Sequence, residues 1–298
     1  MNATMQSNDS RGAGKGQAMT WSPEQYLRFA QPRLRPALDL LARIDVAAPA
    51  RICDLGCGAG NVTEFLVRRW PGADVVGIDG SATMLARAQR ALPGVRWICR
   101  DIAQWPAAEP LAQRGGARDG AHTGEAIRQH EDDRFDVIFS NAALHWLPDH
   151  QRLFPALAAS LAQGGVLAVQ VPNNFAAPSH TAIADAVLDG PWRSRLAPLL
   201  GPTPVAEPAM YFDWLRAHVA DIDIWQTEYL QVLEGTDPVK EWTKGTWLKR
   251  FLEALEPAPA AAFEAAYAER VRAAYPPLDD GRTLLPFRRL FIVARRGE

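Results

Sequence analysis

The stretch Ile52-Cys53-Asp54-Leu55-Gly56-Cys57-Gly58-Ala59-Gly60 constrains the chain most. It reads as a short buried strand carrying a carboxylate near its end and running into a glycine-rich turn. A second apolar run, Val75-Val76-Gly77-Ile78, closes on another acid, Asp79. Apolar strands separated by helical patterns of about this length are the signature of parallel βαβ units with right-handed crossovers. In such sheets ligands bind beyond the carboxyl ends of the strands, and glycines let backbone approach them closely.

The same alternation continues through residues 51 to 171. Strands are predicted at Arg51–Leu55, Asp74–Asp79, Val95–Arg100, Phe135–Ser140 and Gly165–Val171. Helices are predicted near Asn61–Trp70, Ala82–Leu92 and Gln151–Leu161, each with apolar residues at helical spacing. Ahead of the first strand, Ser22-Pro23-Glu24 has the composition of a helix start, and a further helix is expected over Arg35–Ile44. Beyond Pro172 the pattern turns irregular and rich in proline and aromatics. A sixth strand is expected at Ile222–Tyr229, helices over Val239–Leu255 and Ala260–Tyr275, and a last strand around Leu290–Ala294. The fold class is thus α/β, a doubly wound, Rossmann-like sheet under a mostly helical lid. The core takes residues 19–171 and 221–298, and the lid takes 173–220 and 237–285. Residues 1–18 are read as a disordered extension without the apolar segment of a secretory signal, and 107–132 as a surface insertion carrying His122 and His130.

The glycine turn first suggests a dinucleotide, whose fingerprint is Gly-x-Gly-x-x-Gly. Here the spacing is Gly56-x-Gly58-x-Gly60, and Asn61 stands at the third required position. Asp54 just ahead of the turn would repel a pyrophosphate and attract a cation. S-adenosylmethionine has no phosphate and carries a sulfonium and an ammonium, so it suits the site better. Asp79 can accept from both ribose hydroxyls, Met84 can pack on adenine, Asp101 can accept from the adenine amino group, and Ile102 can lie against the ring.

On these residues the chain resembles class I S-adenosylmethionine-dependent methyltransferases: Asp54-Leu-Gly-Cys-Gly-Ala-Gly60 is similar to their first motif and Gly77-Ile-Asp79 to their second. Within that class it resembles the trans-aconitate 2-methyltransferase family. The stretches that carry this are Trp21-Ser-Pro-Glu-Gln-Tyr-Leu-Arg-Phe29, Arg33-Leu-Arg-Pro36, Asn141-Ala-Ala-Leu-His-Trp-Leu-Pro-Asp-His150, Gly165-Val-Leu-Ala-Val-Gln-Val-Pro-Asn173, Glu241-Trp-Thr-Lys-Gly-Thr246 and Arg289-Leu-Phe-Ile-Val-Ala-Arg295. The resemblance implies a seven-stranded sheet with the last strand antiparallel, and monomethyl esterification of trans-aconitate. It also places Asn141 on the cofactor side. The stretch Gly245-Thr246-Trp247-Leu248-Lys249-Arg250 departs from the family's usual Gly-Thr-Gly-Leu-Arg-Pro, so the resemblance leaves the preferred acid open.

A carboxylate acceptor is already ionised at neutral pH and needs no general base. What it needs is cations to hold it, and arginine's planar fork suits a carboxylate best. Arg33, Arg35, Lys249, Arg250 and Arg289 are the candidates, against the plain alternative of solvated surface charge. His145 and Trp146 follow the fourth strand. They read either as a hydrogen-bond donor and a pocket wall at the reacting carboxylate, or as ordinary core. Tyr26 and Tyr211 are placed at the acceptor from the lid, and Trp21 over the methionine end of the cofactor. The competing readings are a methyltransferase for another acid or a hydroxyl, for which His145 is the one base in view, and a non-catalytic S-adenosylmethionine-binding protein.

A formal net charge of −2 gives no basic field for nucleic acid. No apolar run reaches about 18 residues, so no membrane span is expected. Cys53, Cys57 and Cys99 sit in apolar runs without a matching ligand set, so no metal is expected. The default expectation is a cytoplasmic monomer or weak homo-oligomer.

Overall fold

The computed structural model describes residues 30–104 and 134–298, with side chains from Leu34 onward. The segments 1–18 and 107–132 lie outside the described residues, as do Trp21, Tyr26 and the side chain of Arg33. The elements in chain order are α1 (Ala30–Ala42), β1 (Arg51–Leu55), α2 (Thr63–Arg69), β2 (Asp74–Asp79), α3 (Ala82–Ala91), β3 (Arg96–Cys99), β4 (Phe135–Asn141), α4 (His150–Ala159), β5 (Leu161–Pro172), α5 (Pro178–Asp189), α6 (Arg193–Leu196), α7 (Pro208–Leu215), β6 (Asp221–Leu233), α8 (Pro238–Lys244), α9 (Lys249–Leu252), α10 (Pro257–Ala274) and β7 (Thr283–Arg295).

The seven strands form one sheet in the order β3-β2-β1-β4-β5-β7-β6. β1 to β5 are parallel, and β7 runs antiparallel to both neighbours. Alternate side chains of each strand go to opposite faces. One face packs Phe139, Ala168 and Phe291 against Ala37 and Leu40 of α1 and Ile44 just beyond it. The other packs Ile138, Val169 and Ile292 against Leu153, Phe154 and Leu157 of α4.

Three of the differences from the sequence reading have a clear local reason. β5 begins at Leu161, because Leu161 already pairs with Phe135 before the register shifts at the glycines. A Cβ on Gly165 would lie 2.9 Å from the carbonyl oxygens of both Ala162 and Phe135, so the shift needs a glycine. β7 is also longer than expected: all of it pairs with β6, but only Arg289–Arg295 reaches β5. The overhang explains Pro286. The Arg288 N–H, two residues on and facing the same way, is taken by Asn174 Oδ1 at 3.1 Å. At Pro286 no strand stands on that side, and no N–H is missed. Third, the helix expected over Val239–Leu255 breaks after Gly245. There the Thr243 carbonyl accepts from both Thr246 and Leu248, and α9 restarts at Lys249.

The overhanging β6–β7 hairpin carries most of the helices expected to form a lid. Leu233, Leu285 and Phe287 from its tip share a core with Val187 of α5, Trp242 of α8, Phe251 of α9, and Phe263 and Tyr267 of α10. The Tyr267 hydroxyl donates to Ser179 O at 2.8 Å, tying α10 to α5. α7, expected in the lid, packs instead into the sheet core through Tyr211 and Leu215.

Candidate active site

Every feature singled out in the glycine turn converges on the carboxyl ends of β1 and β2. Gly56, Gly58 and Gly60 all have positive φ (78°, 56° and 82°). Gly56 is also irreplaceable on space, since a Cβ there would lie 2.1 Å from Ala143 Cβ in the loop after β4. That contact draws the glycine turn and the β4 loop together over the sheet. Asp79 holds the turn's shape: its Oδ2 accepts from Gly58 N–H at 2.9 Å and its Oδ1 from Ser81 N–H at 2.8 Å. A carboxylate has about four lone-pair sites, so Asp79 keeps acceptor capacity for a ligand. Met84 Cε and Ile102 Cδ1 border the same turn, lying 3.4 Å and 3.5 Å from where Cβ atoms on Gly58 and Gly56 would sit. Asp101 is exposed, and its Oδ1 accepts from Ala103 N–H.

Asp54 is the charged anomaly. It is 2% exposed and has one hydrogen bond among the described residues, from the Thr63 hydroxyl to Oδ2 at 2.6 Å. Burial outweighs that bond and, with the negative charge of Asp79 adding to it, pushes the Asp54 carboxyl up to about 7. A buried acid held so far from its ordinary range lacks a cation, and a cationic ligand in the glycine turn is what this geometry accommodates.

On the other side of β4 the site changes character. Ala142 turns with φ of 52°, and its N–H donates to Gln170 O at 2.8 Å. The chain then enters a 3₁₀ turn, Leu144–Trp146, carrying His145 and Trp146. This turn is pinned from beneath. The Leu144 carbonyl accepts from His150 Nε2–H at 2.9 Å, which leaves His150 Nδ1 to accept from the Tyr211 hydroxyl at 2.6 Å. The Tyr211 oxygen in turn accepts from Ala206 N–H. Tyr211, expected at the acceptor, is fully buried with its hydroxyl bonded to His150, where it braces the turn that bears His145.

Above the turn an aromatic cluster joins core to lid. Trp146 stacks on Trp247 with centroids 5.6 Å apart, and Phe175 meets Trp247 edge-on at 5.0 Å. His180 lies 5.3 Å from Phe175, and His145 lies 4.5 Å from Trp146. The break between α8 and α9 is what turns Trp247 toward Trp146. Arg250 covers the outer face of Trp247 at 4.0 Å and donates from Nη2 to Leu199 O, while its buried Nε has no partner among the described residues. Lys249 pairs with Glu253 one turn on, and Arg35 lies beside Asp39 on α1. Arg289 is 6% exposed, with its guanidinium over Phe287 at 4.6 Å. It is close enough to His145 that its charge, after burial, helps hold that imidazole down to about 3. His180 is held at about 4 by burial.

These shifts set the pH dependence of stability. His145 and His180 bind protons more weakly folded than unfolded, so each adds stability as pH rises to about 6.5. Asp54 binds its proton more tightly folded and removes stability between its ordinary range and about 7. Two imidazoles outweigh one carboxyl, so the thermal midpoint should climb from pH 4.5 to 6.5, and Asp54→Asn should steepen the climb. A flat or falling midpoint across that interval would refute the assignment.

Phe175, His180 and Gln170 escaped the sequence reading. Their one local signal is position, at or just past the carboxyl end of a parallel strand. Among the described residues no cluster of three or more His, Cys, Asp or Glu is placed to hold a metal, and no helix is long and apolar enough to cross a membrane.

The model of the methyltransferase domain family matches residues 26–221. A trans-aconitate 2-methyltransferase of Azoarcus sp. (strain BH72) is 44% identical over 277 residues, covering 93% of this chain and 99% of its own. The chain belongs to the trans-aconitate 2-methyltransferase family. A second member, from Rhodopseudomonas palustris (strain HaA2), is 43% identical over 92% of this chain and 98% of its own. In fold, the chain is similar to the crystal structure of the YcgJ protein from Bacillus subtilis, with a TM-score of 0.52 and 15% identity over 89% of this chain and 99% of that one. Membership spans both halves of the site: the glycine turn falls within the matched domain, while Trp247, Arg250 and Arg289 lie beyond it, in the part covered only by the full-length relatives.

Proposed function

We propose that the protein is an S-adenosylmethionine-dependent carboxylate O-methyltransferase that forms the monomethyl ester of trans-aconitate or of a small polycarboxylate of similar shape. The observation that carries the reading is the state of His145. It is 6% exposed and held near 3 by burial and by Arg289. Such an imidazole is neutral at pH 7 and too weak a base to deprotonate a hydroxyl. A site with one buried and one half-buried arginine, and no competent base among the described residues, favours an acceptor that arrives ionised.

S-adenosylmethionine supplies, when bound, a methyl group on a sulfonium that leaves as a neutral thioether. The chain's task is then to bind, align and exclude water. On the donor side, Asp54 answers the donor's positive charge, Gly56, Gly58 and Gly60 allow close approach, and Asp79 accepts from the ribose. Met84 and Ile102 flank the adenine, Asp101 accepts from its amino group, and Asn141 closes the donor side at the end of β4. On the acceptor side, Arg289 and Arg250 hold carboxylates, His145 donates a hydrogen bond from its neutral ring, and Trp146 with Trp247 forms the wall. Trp247 takes the place of a glycine in the family's usual motif, which narrows the acceptor side and favours a flat acid.

The test is transfer of label from methyl-labelled S-adenosylmethionine to a panel of di- and tricarboxylic acids and small alcohols. A labelled monoester of trans-aconitate, or of one flat polycarboxylate in preference to the rest, is the expected product. Transfer to hydroxyl acceptors only, or none to any acid by protein that binds the donor, would overturn the reading.

A further inference from the structure

We infer that Gln170 is a specificity-determining residue, whose side-chain amide donates a hydrogen bond to a carboxylate of the acceptor from the floor of the site. The inference rests on the polycarboxylate reading above. Gln170 lies in β5, is 0% exposed, and neither Oε1 nor Nε2 has a hydrogen-bond partner among the described residues. Apart from Asn141, its neighbours on the same sheet face are apolar core: Ala168 on its own strand and Phe139 and Phe291 on the flanking ones. A buried amide amid such residues costs stability that an apolar side chain would not, and folding alone offers no return for it.

Register shows which part of the ligand it faces. Gln170 is paired with Asn141 of β4 and Phe291 of β7, and Pro172, two residues on, is paired with Arg289. Paired residues share a face, so Asn141, Gln170 and Arg289 lie on one side of the sheet, toward the strand ends. Asn141 Oδ1 is likewise buried without a partner. The acids suited to the donor, Asp54, Asp79 and Asp101, all belong to β1, β2 and the end of β3, on one side of β4. β5 and β7 lie on the other side, where the acceptor must sit. The backbone fixes the side chain there, because the Gln170 carbonyl anchors the strained turn at Ala142. A neutral amide suits an anionic acceptor, since a glutamate at this position would repel it.

Gln170→Met keeps the length and shape and removes the donor. In the full chain it should raise the KM for the acid about tenfold or more, the size of one lost hydrogen bond to a charged group. The Kd for S-adenosylmethionine by calorimetry should stay within about twofold, and the thermal midpoint should hold or rise. Gln170→Glu should raise the acid's KM further and shift preference toward an analogue with one carboxylate masked as an amide. Parallel loss of donor affinity and acid affinity would overturn the inference, as would unchanged acid kinetics in Gln170→Met. A lowered midpoint in both Gln170→Met and Gln170→Leu would assign the amide a structural partner and overturn it too. Wild-type protein that binds the donor but esterifies no acid overturns the proposed function and this inference with it; normal wild-type transfer with unaltered Gln170→Met kinetics overturns this inference alone.

Discussion

Asp54→Asn is expected to weaken S-adenosylmethionine binding by between about thirtyfold and several thousandfold, the usual consequence of removing one partner of a buried charge pair. The carboxylate is almost wholly enclosed, and the Thr63 hydroxyl is its one hydrogen-bond donor among the described residues. It has therefore lost its hydration without gaining a cation, and its pKa stands at about 7. Binding a cation requires the ionised form. Wild-type affinity should thus improve about tenfold per pH unit up to about 7 and level off above it, with a proton released on binding at lower pH. The asparagine variant should bind weakly and with no such slope. Calorimetry in two buffers of different ionisation enthalpy reads both quantities. Wild-type affinity that is flat from pH 5.5 to 8, or an Asp54→Asn variant within threefold of wild type, would remove Asp54 from the donor site.

Arg289→Ala should raise the KM for the acid by about thirtyfold to a thousandfold while leaving the donor's Kd within about threefold. The guanidinium is nearly enclosed at the point where β7 meets the end of β5, on the acceptor side of β4. A charge held in so little water acts strongly on another charge brought beside it. Arg289→Lys should recover only part of the loss, because an ammonium cannot make the paired, planar contact of the arginine fork. The same variant has a spectroscopic readout. Arg289 lowers the His145 pKa, so the alanine variant should titrate His145 at higher pH by NMR. Equal rises in both substrates' constants, with no movement of the His145 titration, would reduce Arg289 to a packing role.

The geometry of the proposed donor half of the site was legible because its residues are close in sequence. Asp54, Gly56, Gly58, Gly60 and Asp79 mark the ends of two successive strands, and the period-2 and helical patterns of residues 51–100 locate those strands with little ambiguity. The acceptor half comes from three separate stretches. Trp146, Phe175, His180, Trp247 and Arg250 meet only because the overhanging β6–β7 hairpin carries α8 and α9 back over the end of β4. The bracing position of Tyr211 was not legible for a related reason. Its surroundings in the sequence are as aromatic and proline-rich as the lid, and nothing local reveals that its hydroxyl is committed to His150.

The sequence by itself determined the parallel sheet, the glycine turn, and the preference for a cationic ligand over a pyrophosphate, because periodicity, glycine spacing and the sign of Asp54 are local properties. Tertiary structure decided the rest: the antiparallel hairpin's overhang, the break that turns Trp247 inward, the enclosure that makes His145 neutral and Asp54 reluctant to ionise, and the amide of Gln170 left without a partner among the described residues. Burial and long-range pairing set those features, and both depend on which distant residues arrive at the same place.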